Sequence, residues 1–419
     1  MWIVIAVVGT VIVMLVLLNL TSSEKKLEHQ PSHLYPAGGE QFVRSMGTLL
    51  GPAILSGNRV IALCNGDEIF PAMLGAIRSA ERTITFETFI YWSGEIGKAF
   101  GAALEERARA GVKVHVLLDW VGTGKMDAEI IESLEHAGVE VVKYHPLRWY
   151  NLGRLNNRTH RKLLVVDGKV GFTGGVGIAD NWLGNAQDPD HWRDSHFQVE
   201  GPVVAQMQAA FMDNWIEERS LVLHSGEYFP PLGPVGPQAA QLFKSSSTDA
   251  SESVRLMYLL SIAAATRSVR IASAYFVPDA LSVATLVAAQ RRGAQVEIIV
   301  PGRYTDAKVV RRASRSRWGP MLEAGVAIYE YQPTMYHTKV MIVDEVWTTV
   351  GSTNFDNRSF RLNDEANLNI LEPDFARGQV RLFEQDRAQS TRITLDMWRS
   401  RPRSEKLQDW VAGIGRLQL

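Results

Sequence analysis

Residues 159–168 read THRKLLVVDG and run on through KVGFTGG to Gly175; residues 337–345 read HTKVMIVDE and run on through VWTTVGS to Ser352. Both fit His-x-Lys-x4-Asp followed, at a fixed distance, by a pair of small residues. One match could arise by chance, but two in register mark an internal duplication. The apolar, β-branched run after each lysine is a strand pattern, and side chains two apart on a strand share a face. His160 and Lys162 therefore point together, as do His337 and Lys339. Asp167 and Asp344 complete the motif's candidate catalytic set but have the opposite parity, and Asp167-Gly168 is a hairpin-turn dipeptide. The aspartates are expected to orient turns.

The duplication extends outward from the motifs. IRSAERTITFETFIY (77–91) is matched by AAATRSVRIASAYF (263–276), AGVKVHVLLD ending at Asp119 by GAQVEIIVP ending at Pro301, and LEHAGVEVVKYHP ending at Pro146 by LEAGVAIYEYQP ending at Pro333. Helical stretches alternate with short apolar strands, which is the pattern of an α/β sheet covered by helices. The expected division is an anchor over 1–20, a juxtamembrane segment over 21–57, a first half over 58–223 and a second half over 241–395. A Pro/Gly-rich linker over 224–240 would join the halves, and a helical tail would occupy 396–419.

Composition narrows the class. The chain has 419 residues, 46% hydrophobic and 21% charged, with 44 basic and 45 acidic side chains. Those fractions exclude a disordered, low-complexity or polytopic membrane protein. A single cysteine, Cys64, excludes an internal disulfide and a Cys-based zinc site. A net charge of −1 gives no sign of a nucleic-acid binder. Residues Met1 to Leu18 carry no charge, and the first ionisable side chain is Glu24. About 20 helical residues span a bilayer core, so this segment is expected to be an uncleaved single-pass anchor. Lys25 and Lys26 follow it, which places the rest in the cytoplasm by the positive-inside rule.

Two histidines and two lysines brought together by pseudo-symmetry suit phosphodiester chemistry. The lysines neutralise the phosphoryl oxygens as charge develops. One neutral imidazole can attack phosphorus, and the other can protonate the leaving alkoxide and later take a proton from the acceptor. No metal or other cofactor is needed. Gly174-Gly175 and Gly351-Ser352 remove bulk where backbone could approach an anion, with Asn354 adding an amide donor. Glu365, at the head of the strand EANLNI, and Asp194, before SHFQV, are expected to hold the far ring nitrogens.

On THRKLLVVDG with TGG, HTKVMIVDE with GSTNFDNRSFRLNDE, and the WRD tripeptide ending at Asp194, the chain resembles the phospholipase D superfamily, specifically its bacterial cardiolipin synthases. The resemblance runs from about Val60 to the region of Trp410. It implies two pseudo-symmetric α/β sandwich halves sharing one active site, a phosphohistidine intermediate, no metal, and a place in the bacterial inner membrane. Carried over, His160 is the nucleophile and His337 the general acid, while Lys162, Lys339 and Asn354, with Gly175 and Ser352, bind phosphate. In one respect the chain departs from the family: Gly177 stands where relatives commonly carry asparagine.

Two basic stretches bear on the substrate. From Val141 to Val166 there is no acid, while Lys143, Arg148, Arg154, Arg158, Arg161 and Lys162 are interleaved with Trp149, Tyr150, Leu152 and Leu155. This path to His160 is about ten residues longer than the one to His337 and would suit an anionic lipid surface. The stretch from Ala307 to Leu322, with five basic side chains, reads either as a solvated helix face or as a second headgroup contact. With an anchor in front, the expected reaction is phosphatidyl transfer from one phosphatidylglycerol to another. Hydrolysis to phosphatidic acid and nucleic-acid phosphodiesterase activity are the alternatives.

Overall fold

The computed structural model describes residues 27–146, 157–246 and 252–414, with residues 2, 5–7, 9, 10 and 14 helical near the N-terminus. The first half contributes β1 (Leu55–Cys64), β2 (Thr83–Thr88), β3 (Lys113–Asp119), β4 (Glu140–Tyr144), β5 (Arg158–Thr159), β6 (Leu163–Val166), β7 (Val170–Gly174) and β8 (Ser195–Glu200). The second contributes β9 (Gln238–Ser245), β10 (Ser268–Ser273), β11 (Phe276–Val277), β12 (Gln295–Pro301), β13 (Ala327–Tyr331), β14 (Lys339–Val343), β15 (Trp347–Gly351), β16 (Phe355–Asp356), β17 (Asn363–Leu371) and β18 (Ser390–Ile393). The strand order β4-β3-β2-β6-β7-β8-β1 is answered by β13-β12-β10-β14-β15-β17-β9, with β18 beyond β13. Each half is thus the same mixed sheet. The two join where β1 pairs with β9, Asn58 opposite Gln238.

Burial explains why the motif strands are continuously apolar. Leu164 and Val166 of β6 face helices Asn65–Arg78 and Glu95–Arg109, which supply Ile69, Phe70 and Phe100 to an outer core. Met341 and Val343 of β14 face the matching core of the second half. The alternate residues, Leu163 and Val165 with Val340 and Ile342, share a third core that contains Phe197, Leu368 and Phe375 from both halves. A strand covered on both faces has no polar side. The inner core makes the halves one unit.

Both motif hairpins turn through left-handed pairs, Asp167-Gly168 (φ 53° and 61°) and Asp344-Glu345 (φ 54° and 56°), as the two central residues of a type I′ turn require. The Asp167 carboxylate accepts the backbone N–H groups of Glu81, Arg82 and Thr83. Asp344 accepts those of Thr266, Arg267 and Ser268. The aspartates therefore tie each hairpin to the start of β2 or β10, as the turn reading expected.

Two expected boundaries fall inside packed structure. The segment 21–57 is no free spacer: helix Glu40–Leu49 buries Phe42 and Met46 in the second half's core, with Phe42 edge-on to Trp347 at 4.9 Å. Strand β9 begins at Gln238, inside the expected linker. The linker also packs on the first hairpin, because a Cβ at Gly168 would lie 2.4 Å from the Tyr228 carbonyl oxygen. Among the described residues no helix is long and apolar enough to cross a membrane. Most of the expected anchor lies outside them, so that expectation rests on sequence alone.

Candidate active site

Each motif histidine is introduced by backbone from the opposite half. Strand β5 pairs in parallel with the start of β17, and the His160 N–H donates to the Asp364 carbonyl at 2.9 Å. In the second copy Tyr336 bridges Arg193, and the His337 N–H donates to the Arg193 carbonyl at 2.8 Å. The residue after each of those carbonyls is a carboxylate. Glu365 therefore meets His160 Nδ1, with both oxygens at 3.0 Å, and Asp194 meets His337 Nδ1 at 2.7 Å. The expected carboxylates are present, and each holds the histidine of the other half.

The carboxylates are ionised. Burial works against the charge on Glu365, but His160, Lys162 and the Ser352 hydroxyl outweigh it and hold its pKa at about 2. Burial likewise opposes the charge on Asp194, and His337 and Lys339 bring its pKa below the usual range. An ionised carboxylate can only accept, so each Nδ1 carries a proton and each Nε2 is left as the acceptor nitrogen, that of His337 lying 3.2 Å from the Lys339 ammonium.

Burial lowers the His160 pKa to about 4; Glu365 opposes the drop and the two lysines add to it. Burial and Lys339 lower that of His337 against the pull of Asp194. Burial also lowers Lys162 to about 7 and Lys339 to about 8. Each ammonium donates to the backbone carbonyl of the histidine two residues before it, at 2.7 and 2.6 Å. In the second copy the Lys339 ammonium also lies 3.0 and 3.2 Å from the His337 ring nitrogens, and in the first the Phe89 ring lies near both His160 and Lys162.

The small-residue pairs do something other than cradle an anion. The Gly175 N–H donates to the Ser195 carbonyl and the Ser352 N–H to the Ala366 carbonyl, so neither is available to phosphate. A Cβ at Gly175 would lie 2.3 Å from an Asp194 carboxylate oxygen, and the Ser352 hydroxyl donates to Glu365. These positions seat the carboxylates. Asn354 is buried, and its Oδ1 has no hydrogen-bond partner among the described residues.

The first basic stretch is corrected in part. Arg161 is fully buried, bonding Asp213 at 3.0 Å and the Ala210 and Ser245 carbonyls, so it is a strut beneath both halves. Arg158 is buried 4.0 Å from Asp119. Arg148, Trp149, Tyr150, Leu152, Arg154 and Leu155 lie outside the described residues. Of the remaining histidines, His145 bonds Glu217 and His191 bonds Asp188, whereas His196 is buried behind Asp194. Several site neighbours carried no motif. The Phe89 ring lies 5.4 Å from His160, Trp182 and Trp192 lie 5.3 and 5.4 Å from His337, and the Tyr275 hydroxyl beside His337 donates to Asp306.

With that geometry established, comparison with known proteins is specific. The family profile described as "Cardiolipin synthase, PLD-like domain" matches residues 73–215 and 258–387, one match per half. The chain belongs to this phospholipase D-like cardiolipin synthase family. Cardiolipin synthase A of Pseudomonas fluorescens is 36% identical over 377 residues, 89% of this chain and 77% of that one. Cardiolipin synthase of Geobacillus kaustophilus is 35% identical over 360 residues, 85% and 72%. Among solved structures, phosphatidylserine synthase of Haemophilus influenzae superimposes with a TM-score of 0.68 at 13% identity, covering 91% of this chain and all of that one. That likeness is one of fold.

Gly177 sits where a side chain has no room. A Cβ there would lie 2.8 Å from Ile90 Cβ and 3.2 Å from the Trp182 ring. Trp182 donates its indole N–H to Asp194 at 2.9 Å, so the space of a side chain at 177 is filled by the ring that braces a histidine-holding carboxylate.

Proposed function

We propose that this chain is a cardiolipin synthase that transfers a phosphatidyl group from one phosphatidylglycerol to the hydroxyl of another. The crossed pair of imidazole–carboxylate contacts, flanked by two buried lysines, carries the reading. His160 Nε2 attacks phosphorus while Lys162 and Lys339 neutralise the phosphoryl oxygens. A P–N bond forms, the P–O bond to glycerol breaks, and imidazolium His337 gives its proton to the departing alkoxide. His337, now neutral, takes the proton of the incoming hydroxyl, whose oxygen displaces His160 and yields cardiolipin. Asp194 stabilises the imidazolium of His337, and Glu365 keeps His160 in the attacking tautomer. All four motif side chains are buried, which favours a dry cleft and an alcohol over water as acceptor.

The pH dependence follows from three groups. His160, with a pKa of about 4, loses its proton there and becomes nucleophilic as pH rises. His337, below its ordinary value, and Lys162, at about 7, lose the protons they need. The kcat/KM profile should therefore peak between pH 4 and 7 and already be falling at 7. The kcat profile should extend further into alkali, because the bound phosphodiester anion raises all three pKa values. A kcat/KM plateau reaching pH 9 would contradict the assignment.

The function is tested by incubating the purified chain with labelled phosphatidylglycerol and identifying products by mass spectrometry. Cardiolipin and free glycerol are expected. Phosphatidic acid alone would make the enzyme a hydrolase, and cleavage of nucleic acid with no lipid product would overturn the lipid reading.

A further inference from the structure

The helix Arg403–Ile414 is inside out for a surface helix. A soluble surface helix turns its apolar stripe to the core. Here the buried positions are Asp409 and Gly413, with Glu405 half-buried, while the outward stripe is Leu407, Trp410, Val411 and Ile414, 60%, 63%, 55% and 61% exposed. The spacing i, i+3, i+4, i+7 makes one continuous ridge. Its polar face packs on the basic helix Lys308–Arg315, with Arg315 bonding Glu405 at 3.2 Å, while Arg401, just ahead of the helix, bonds Asp409. The basic helix itself exposes Val309 at 55%.

Between the two helices lies an open cavity of about 350 Å³ lined by Arg303, Lys308, Arg311, Arg312 and Arg315, with Glu405, Gln408 and Asp409 on the other wall. Arg311 is committed to Glu330 at 2.6 Å, whereas Lys308 and Arg312 make no ion pair among the described residues. Exposed cations therefore stand beside an exposed apolar ridge that carries a tryptophan. That combination matches an anionic bilayer surface, where apolar side chains enter the acyl boundary and cations meet phosphates. A protein groove would not need the surplus charge.

We propose that helix Arg403–Ile414 and the cavity beneath it form a docking site for anionic phospholipid bilayer, the ridge inserting at the interface and Lys308, Arg312 and Arg303 contacting headgroup phosphates. The segment that carries Arg303 also carries Asp306, which holds Tyr275 beside His337. Docking there sets one lip of the catalytic cleft against the membrane. The proposal rests on the lipid-transfer reading only for placing substrate in that membrane.

The test uses the full chain reconstituted in nanodiscs, with an environment-sensitive fluorophore at Val411→Cys on a Cys64→Ser background. Phosphatidylglycerol-containing discs should give a blue shift and phosphatidylcholine discs none. Lys308→Glu with Arg312→Glu should raise the phosphatidylglycerol content needed for half the shift by roughly fivefold or more. Equal shifts in both disc types would overturn the proposal, since another part of the chain or a second copy would then cover the ridge. No shift in either would also overturn it. Conversion of short-chain phosphatidylglycerol in mixed micelles, measured in parallel, should survive the charge reversals. A wild-type chain that docks but converts neither lipid form would count for docking and against the transferase reading.

Discussion

Replacing His337 with alanine is expected to leave an enzyme that accepts one phosphatidyl group and cannot pass it on. With phosphatidyl-p-nitrophenol as donor the leaving group needs no proton, so His160 can still attack. The His337→Ala variant should release p-nitrophenolate in a burst stoichiometric with enzyme and then stop, because no base remains to activate the acceptor. Phosphorus should then be found on the peptide containing His160. The His160→Ala variant should give no burst. With phosphatidylglycerol as donor, turnover should fall by ~10²–10⁴ for His337→Ala and by roughly 10⁴ or more for His160→Ala. A burst from His160→Ala and none from His337→Ala would reverse the two roles, which pseudo-symmetry alone leaves interchangeable.

What the sequence made legible follows from local physics. Parity along LLVV and VMIV places lysine beside histidine and sends the aspartates to the turns, and a repeated order of strands and helices implies two like sheets. The side chains that complete the site depend on distant chain. Glu365 meets His160 across 205 residues and Asp194 meets His337 across 143. Nothing in either local pattern specifies that crossing, because it depends on how the halves pack. Arg161 reads as part of a basic loop and proves to be a buried strut, since its partners Asp213 and Ser245 come from other elements. The Gly175 and Ser352 positions read as anion cradles because small residues suit both an approaching phosphate and a seated carboxylate. The stripe on helix Arg403–Ile414 is visible as a spacing, but only the fold shows that it faces outward.

The crossing itself makes the second large prediction. Glu365→Gln and Asp194→Asn should each lower turnover on phosphatidylglycerol by ~10³–10⁴, as loss of a histidine-orienting carboxylate does elsewhere. An amide can donate to Nδ1 and so drive the proton to Nε2, the nitrogen that must be free to attack. The two variants should then separate with the p-nitrophenyl donor. Glu365 lies in the second half of the chain, yet it holds His160, the proposed nucleophile of the first, so Glu365→Gln should behave like His160→Ala and lose the burst. Asp194, in the first half, holds His337, the proposed general acid of the second. Asp194→Asn should therefore keep the burst and fail at acceptor activation, as His337→Ala does. If each carboxylate served the histidine of its own half, the phenotypes would be exchanged: Asp194→Asn would abolish the burst and Glu365→Gln would retain it. Burst amplitude scales with the amount of folded enzyme, so the comparison is made per folded molecule. An active-site titration of folded protein, monitored by circular dichroism, fixes the amplitude expected for each.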